Sequence, residues 1–158
     1  MATKRVGLIT LSMMIALTLA LGIACLAGCS SPSAESKATR ETRTVTDMRG
    51  RTVEIPKSVD KIIAIGCALR PVCYLQAQDM LLGVENAEQT DTVNCTYRHV
   101  NQSLFAKLSV IGEGGSNGVT TNDEAIIKAD PQLIIADSLQ ADEADALQKN
   151  TGIPIVCL

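Results

Sequence analysis

Two short stretches hold the residue types that could recognise a small molecule. In "GCALRP", Gly66 permits close backbone approach, Cys67 offers a thiol, and Arg70 precedes Pro71, a residue suited to a first helical position. The planar fork of Arg70 matches a carboxylate or an anionic chelate, and the plain alternative is a surface arginine with no important contact. In "CTYRHVN", Tyr97, Arg98 and His99 set an aromatic ring, a cation and the only histidine side by side. That combination suits stacking on a flat ligand, holding its charge, or ligating a metal. One imidazole without carboxylate or imidazole neighbours does not make a metal centre, so direct coordination of a bare ion is not expected. Glu124 stands three residues after Thr121 in "TNDEAIIKAD", a capping-box spacing that by itself accounts for the residue.

These residues need elements to position them. "TVTDMRGRTVEIP" places strand-forming residues on both sides of the turn signal "MRGR" and predicts a β-hairpin closed by Pro56. Beyond it, apolar runs at Ile62 to Ile65, Leu81 to Val84, Val110 to Ile111, Leu133 to Ala136 and Ile153 to Val156 are too apolar for one-sided burial, as expected of parallel strands covered on both faces. Helical patterns lie between them: Arg70 to Met80; a stripe of Val100, Leu104 and Leu108; "TNDEAIIKAD", stopped by Pro131; and Asp142 to Lys149, with Ala144 and Leu147 on one face and "NTG" as terminator. The expected fold is α/β: a mainly parallel sheet with helices on both faces, preceded by a short hairpin. "GEGGSNG" at Gly112 to Gly118 lacks phosphate-loop order and reads as a strand-to-helix loop.

Other function classes find little support. Phe105, Tyr74 and Tyr97 are the only aromatics and the net charge is −3, so stacking platforms on a basic surface, and with them nucleic-acid binding, are not expected. No G-x-S-x-G, Ser-His-Asp order or cofactor loop marks an enzyme. The chain has 6 cysteines but no C-x-x-C, which argues against a thioredoxin-like centre or a zinc ribbon. Cys67, Cys73, Cys95 and Cys157 are left either to pair or to serve as small buried hydrophobes.

The amino terminus is of a different kind. Lys4 and Arg5 precede an uncharged apolar run from Val6 to Ala27, the layout of an export signal, with an uncleaved membrane anchor as the alternative. "LAGC" at Leu26 to Cys29 resembles the lipobox of bacterial lipoproteins. The resemblance implies a signal peptide over 1–28, a mature chain beginning at a diacylglyceryl-modified Cys29, and attachment to the lipid bilayer through it. "SSPSAESKATRETR" then reads as a flexible tether up to about residue 43. Loss of Lys4 and Arg5 takes the net charge of −3 to about −5.

The order of pieces resembles the extracytoplasmic solute-binding lipoproteins of ABC importers for iron-siderophore, haem and cobalamin complexes. "TVTDMRGRTVEIP" and "VDKIIAIG" are similar to that family's opening hairpin and first sheet strand, and "MLLGVEN" to its second strand. "TYRHVNQSL" and "LSVIGEGG" resemble its next loop and third strand. "NDEAIIKADPQLIIA" resembles its N-x-E-x-I-x-x-x-x-P-D-[LV]-[IV]-[IV]-A pattern, with Gln132 in place of Asp. The resemblance implies two α/β lobes joined by a long helix, with ligand between them. "TGIPIV" matches the last strand of the first lobe, so residues 44–158 are expected to form an isolated N-terminal lobe, from a truncated, split or frameshifted gene or a deliberate fragment. Gly66, Cys67, Arg70, Tyr97, Arg98 and His99, on loops expected at strand ends, are then the residues expected to contact an iron chelate, haem or cobalamin; the resemblance implies that Glu124 contacts the membrane permease, and no catalytic step is expected. The alternatives are a one-lobe, membrane-anchored interaction protein that carries no solute and a lipid-anchored enzyme on a flavodoxin-like sheet.

Overall fold

The computed structural model describes residues 41–90, 95–115 and 118–158; the expected signal peptide, Cys29 and the tether lie outside the described residues. Strands β1 (Thr42–Thr46) and β2 (Thr52–Pro56) form the antiparallel hairpin, with Val45 opposite Val53 and the turn over Asp47 to Arg51. Five further strands follow among the described residues: β3 (Ile62–Ile65), β4 (Leu81–Val84), β5 (Ser109–Val110), β6 (Leu133–Ala136) and β7 (Ile155–Cys157). They form one parallel sheet in the order β5-β4-β3-β6-β7. The helices are α1 (Leu69–Tyr74), α2 (Asn86–Thr90), α3 (Thr96–Phe105), α4 (Asp123–Ala129) and α5 (Ala141–Thr151).

The alternation of β3 explains why the strands read as continuous apolar runs. Ile62 and Ala64 face a cluster made by Leu69 and Val72 of α1, Tyr97 and Phe105 of α3, and Val53 and Ile55 of the hairpin. Ile63 and Ile65 face the opposite cluster, with Ile126 of α4 and Ala144 and Leu147 of α5. Both faces of the sheet are therefore covered at β3, as a parallel sheet requires, whereas the edge strand β5 leaves Ser109 and Val110 exposed, unlike the two-sided burial expected of that run. Strand order runs outward from β3 to β5 on one side and then resumes at β6 on the other, so the chain changes direction beside β3. Loops after β3 and β6 diverge there, which opens a crevice at the carboxyl ends of the strands.

Several local expectations differ from the structure. The pattern from Arg70 to Met80 is split: α1 ends at Tyr74, Gln76 adopts φ 59°, and a short 3₁₀ turn occupies Gln78–Met80. Of the stripe Val100, Leu104 and Leu108, Val100 is 72% exposed and does not pack, whereas Leu104 and Leu108 pack against the core in which Tyr97 and Phe105 are buried. The first turn of α4 is capped by Asn122, whose side chain accepts from the Ala125 N–H at 3.0 Å, while Thr121 donates to Asp123. The Thr121–Glu124 capping box does not form, because Thr121 lies one residue too early. α2 was not anticipated, since five residues are too few for an apolar period. Gln132 accepts from the N–H groups of Asp60 and Lys61 at 2.8 and 3.2 Å, ahead of β3. A side-chain carbonyl fills that acceptor position as well as a carboxylate would.

Candidate functional site

A cleft of about 260 Å³ opens at the carboxyl edge of the sheet, walled by the loops after β3, β5 and β6 and by α2 and α3. Gly66 and Cys67 begin the loop after β3 and Arg70 lies in α1. Gly66 has φ 66°, and a side-chain carbon there would overlap the Asp137 carbonyl of the neighbouring loop, so only glycine lets the two loops approach. On the other side Gly114, Gly115 and Gly118 line the cleft from "GEGGSNG", a segment closed on itself by the bridge between Gly112 and Thr121 and by the Glu113 N–H donating to the Thr120 carbonyl at 3.0 Å.

The polar centre of the wall is Glu88 in α2. Its carboxylate accepts from Arg98 Nε at 2.6 Å and Nη2 at 2.9 Å, and from the Tyr97 hydroxyl at 2.9 and 3.1 Å. The Glu88 and Arg98 side chains are only 3% and 12% exposed, so this is a desolvated, two-pronged ion pair. Arg98 is held protonated above its ordinary range by that hydrogen bonding, against the opposing effect of burial. Burial and then the Glu88 charge push the Tyr97 phenol well above the usual tyrosine range, which leaves it a neutral hydrogen-bond donor. The guanidinium carbons of Arg70 and Arg98 lie 5.7 and 5.6 Å from the centre of the Tyr97 ring. Because Arg98 is committed to Glu88 and Arg70 has no ion pair among the described residues, Arg70 is the cation through which the cleft can attract an anion.

Of the residues singled out in the sequence, Gly66, Cys67, Arg70, Tyr97 and Arg98 come together here; His99 is exposed on α3 and is not among the lining residues. Tyr97 is on a helix and 6% exposed rather than on an open loop, so its ring is packed in the core and not presented as a stacking plate. Glu124 is exposed in the first turn of α4. Cys67, Cys73, Cys95 and Cys157 are all free thiols. Among the described residues no group of three or more His, Cys, Asp or Glu is placed to hold a metal ion, and no helix is long and apolar enough to cross a membrane.

Glu88, the glycines of the β5 loop, Val119 and Ser138 were missed in the sequence. Glu85, buried beneath the cleft, had a readable signal: in "LLGVEN" it follows the last residue of β4, where a parallel strand delivers its next side chain to the crevice. Glu88 had none, because its importance depends on Tyr97 and Arg98, nine and ten positions further on.

No protein-family model matches the sequence, and no curated protein matches it. Solved structures do. The molybdate periplasmic binding protein MolA of an ABC transporter of Haemophilus influenzae is similar with a TM-score of 0.59 and 18% identity, over 73% of this chain and 34% of that one. The haem binding protein HmuT gives 0.53 and 20%, over 75% and 34%. The periplasmic catecholate-siderophore binding protein VctP of Vibrio cholerae gives 0.55 and 19%, over 74% and 37%. The chain therefore spans about a third of the length of these structures, and over that span it has the fold of periplasmic solute-binding proteins.

Proposed function

We propose that this chain is the first lobe of an extracytoplasmic solute-binding lipoprotein that delivers a chelated metal, such as an iron-siderophore, haem or cobalamin, to an ABC permease. The observation that carries the reading is the cleft itself: it lies at the carboxyl edge of a sheet that shares its fold with solute-binding proteins, and it sets Arg70 beside a neutralised Arg98–Glu88 pair. Gly66 and Cys67 supply close backbone approach and a polarizable rim, Arg70 holds ligand charge, and Tyr97 with Arg98 forms the rigid wall behind it. Glu124 docks on the permease, where an exposed charge acts on encounter rate and salt sensitivity more than on affinity. Cys29 holds the protein at the membrane by lipid, and mass spectrometry of the membrane fraction should find it as the modified amino terminus.

Ligand pockets usually measure about 300–1,000 Å³ and cover most of the ligand. A cleft of about 260 Å³ covers only part of a haem or siderophore, so these residues by themselves bind weakly. Calorimetry or fluorescence quenching with haemin, ferric siderophores and cobalamin tests this. Dissociation constants weaker than about 1 μM are expected, with a loss of roughly tenfold or more in Arg70→Ala from one charge-assisted contact. Absence of saturable binding to every probe by folded protein would overturn the reading and favour a docking protein that carries no solute.

A further inference from the structure

The solute-binding reading uses Arg70, Tyr97 and Arg98 and leaves Glu85 without a task. Glu85 is 2% exposed, one residue beyond β4. Its Oε2 accepts from the Gly66 N–H at 3.1 Å, and its Oε1 is buried without a hydrogen-bond partner among the described residues. Gly114 packs on the same carboxyl: a side-chain carbon at Gly114 would lie 2.6 Å from Oε2 and 2.7 Å from the carboxyl carbon. Gly66 and Gly114 both line the cleft, on opposite loops. Glu85 is thus the group that touches both sides of the cleft from below.

A buried carboxyl with an orphaned oxygen is costly to ionise, because nothing replaces the water it has lost. Burial pushes Glu85 up to about 7, opposed by the Gly66 N–H; the Glu88 charge adds to the rise and Arg98 opposes it. Glu88 of α2 and Arg98 of α3 are the charged groups that act on it, and they neutralise one another; the loops after β3 and β5 contribute only backbone. Among the described residues the charged side chains lining the cleft are Arg70, Arg98 and Glu88, which sum to a single positive charge while Glu85 is neutral and to none once it ionises.

We propose that Glu85 is a proton-linked positioning residue of the cleft: it joins the Gly66 and Gly114 loops beneath the ligand, leaves the cleft cationic while it is neutral, and on ionising cancels that charge and releases an anionic ligand. This deepens the solute-binding reading and rests on it for the identity of the ligand as an anion, but the loop contact stands without any ligand. The device would make capture strongest in mildly acidic surroundings and release easier in neutral or alkaline ones. No covalent step is involved; one proton leaves Glu85 for solvent as the pH rises.

The test has two arms on the full chain. In the first, amide resonances of Gly66 and Gly114 are followed by nuclear magnetic resonance from about pH 5 to about pH 9 without ligand. Both should move with one shared midpoint close to 7, and Glu85→Gln should abolish the movement while leaving the remaining spectrum in place. A profile already flat above about pH 6, as a group at the ordinary glutamate value of 4.5 would give, or an unchanged profile in Glu85→Gln, overturns the proposal. In the second arm, a trianionic ferric tris-catecholate complex and an uncharged ferric tris-hydroxamate complex are titrated across the same range. The anionic probe should lose affinity by up to about tenfold per pH unit above the midpoint, the uncharged probe should not, and Glu85→Gln should flatten the difference. Equal pH dependence for the two probes overturns the charge coupling. Binding of neither probe, with the amide titration intact, overturns the ligand half of the proposal while supporting the loop contact; the solute-binding reading itself falls when haemin and cobalamin also fail to bind.

Discussion

Asp47 and Arg51, at the two ends of the hairpin turn, form a buried ion pair with Arg51 Nη1 3.1 Å from Asp47 Oδ2, the two side chains being 0% and 9% exposed. Asp47 also accepts from the N–H groups of Arg49, Arg51 and Cys157, and Arg51 reaches the Ile155 carbonyl, Gln148 and Asp145. The pair therefore fastens the hairpin to β7 and α5, and together with the Met48 N–H donating to the Cys157 carbonyl it covers the outer edge of β7. An uncovered edge strand is a template for unwanted pairing, and this one is closed by a turn and a guanidinium.

Removing Asp47 leaves Arg51 with the exposed Asp145 as its remaining carboxylate and takes the acceptor from the N–H groups of Arg49, Arg51 and Cys157. Asp47→Ala should lower unfolding stability by about 3–5 kcal/mol and increase aggregation through the exposed β7 edge. Denaturant unfolding with light scattering measures both. A loss below about 0.5 kcal/mol, the level of an ordinary surface substitution, would show that the pair does not hold the hairpin.

Asp47 and Glu85 give stability opposite dependences on pH. Burial alone would raise Asp47, but the N–H groups of Arg51, Cys157 and Arg49 and the Arg51 charge together hold it below its ordinary 3.8. Its stabilising contribution is present above 3.8 and is lost as the pH falls further. Glu85 is raised, so the folded state binds its proton more tightly than the unfolded chain, and stability falls as the pH climbs from 4.5 to about 7. Thermal unfolding should show both limbs, and Glu85→Gln should raise Tm above pH 7 by some degrees, since about 1 kcal/mol moves Tm by ~4–8 °C in a domain of this size.

The Glu88 carboxylate also controls a neighbouring titration. Glu88→Gln should bring the Tyr97 phenol down toward the usual tyrosine range, because it removes the negative charge that, after burial, holds it up. The chain has 2 tyrosines, and Tyr74 at 69% exposure supplies an internal reference in phenolate absorbance. The same change should cost about 3–5 kcal/mol of stability by leaving Arg98 without its carboxylate.

Arg70 and Tyr97 separate ligand capture from packing. Arg70→Ala, at an exposed position, should leave stability within about 0.5 kcal/mol while weakening an anionic ligand. Tyr97→Ala should cost about 3–5 kcal/mol, as for other buried aromatics, and Tyr97→Phe much less. Equal stability losses at the two positions, measured by denaturant unfolding, would contradict this division.

The sequence by itself determined the hairpin, the five strands of the parallel sheet and the placing of helices on both its faces. Those follow from local signals: unbroken apolar runs such as Ile62 to Ile65, turn residues such as "MRGR", and the terminators at Pro131 and Gly152. It also brought out Gly66, Cys67, Arg70, Tyr97 and Arg98, because strand ends in such a sheet converge on one edge. Tertiary structure decided what those residues do for one another. Tyr97 was legible as an aromatic beside a cation, but only the folding of α3 onto α2 buries it and gives its hydroxyl to Glu88. His99, two residues later, turns outward on the same helix, a difference of direction that depends on which helix face meets the sheet. Glu85 looked like any glutamate after a strand, and its burial follows from Gly66 and Gly114 approaching from loops 19 and 29 residues away in sequence. Spacing along the chain encodes local geometry, whereas desolvation and the partner that offsets it depend on contacts between distant segments, and those exist only once the sheet has closed.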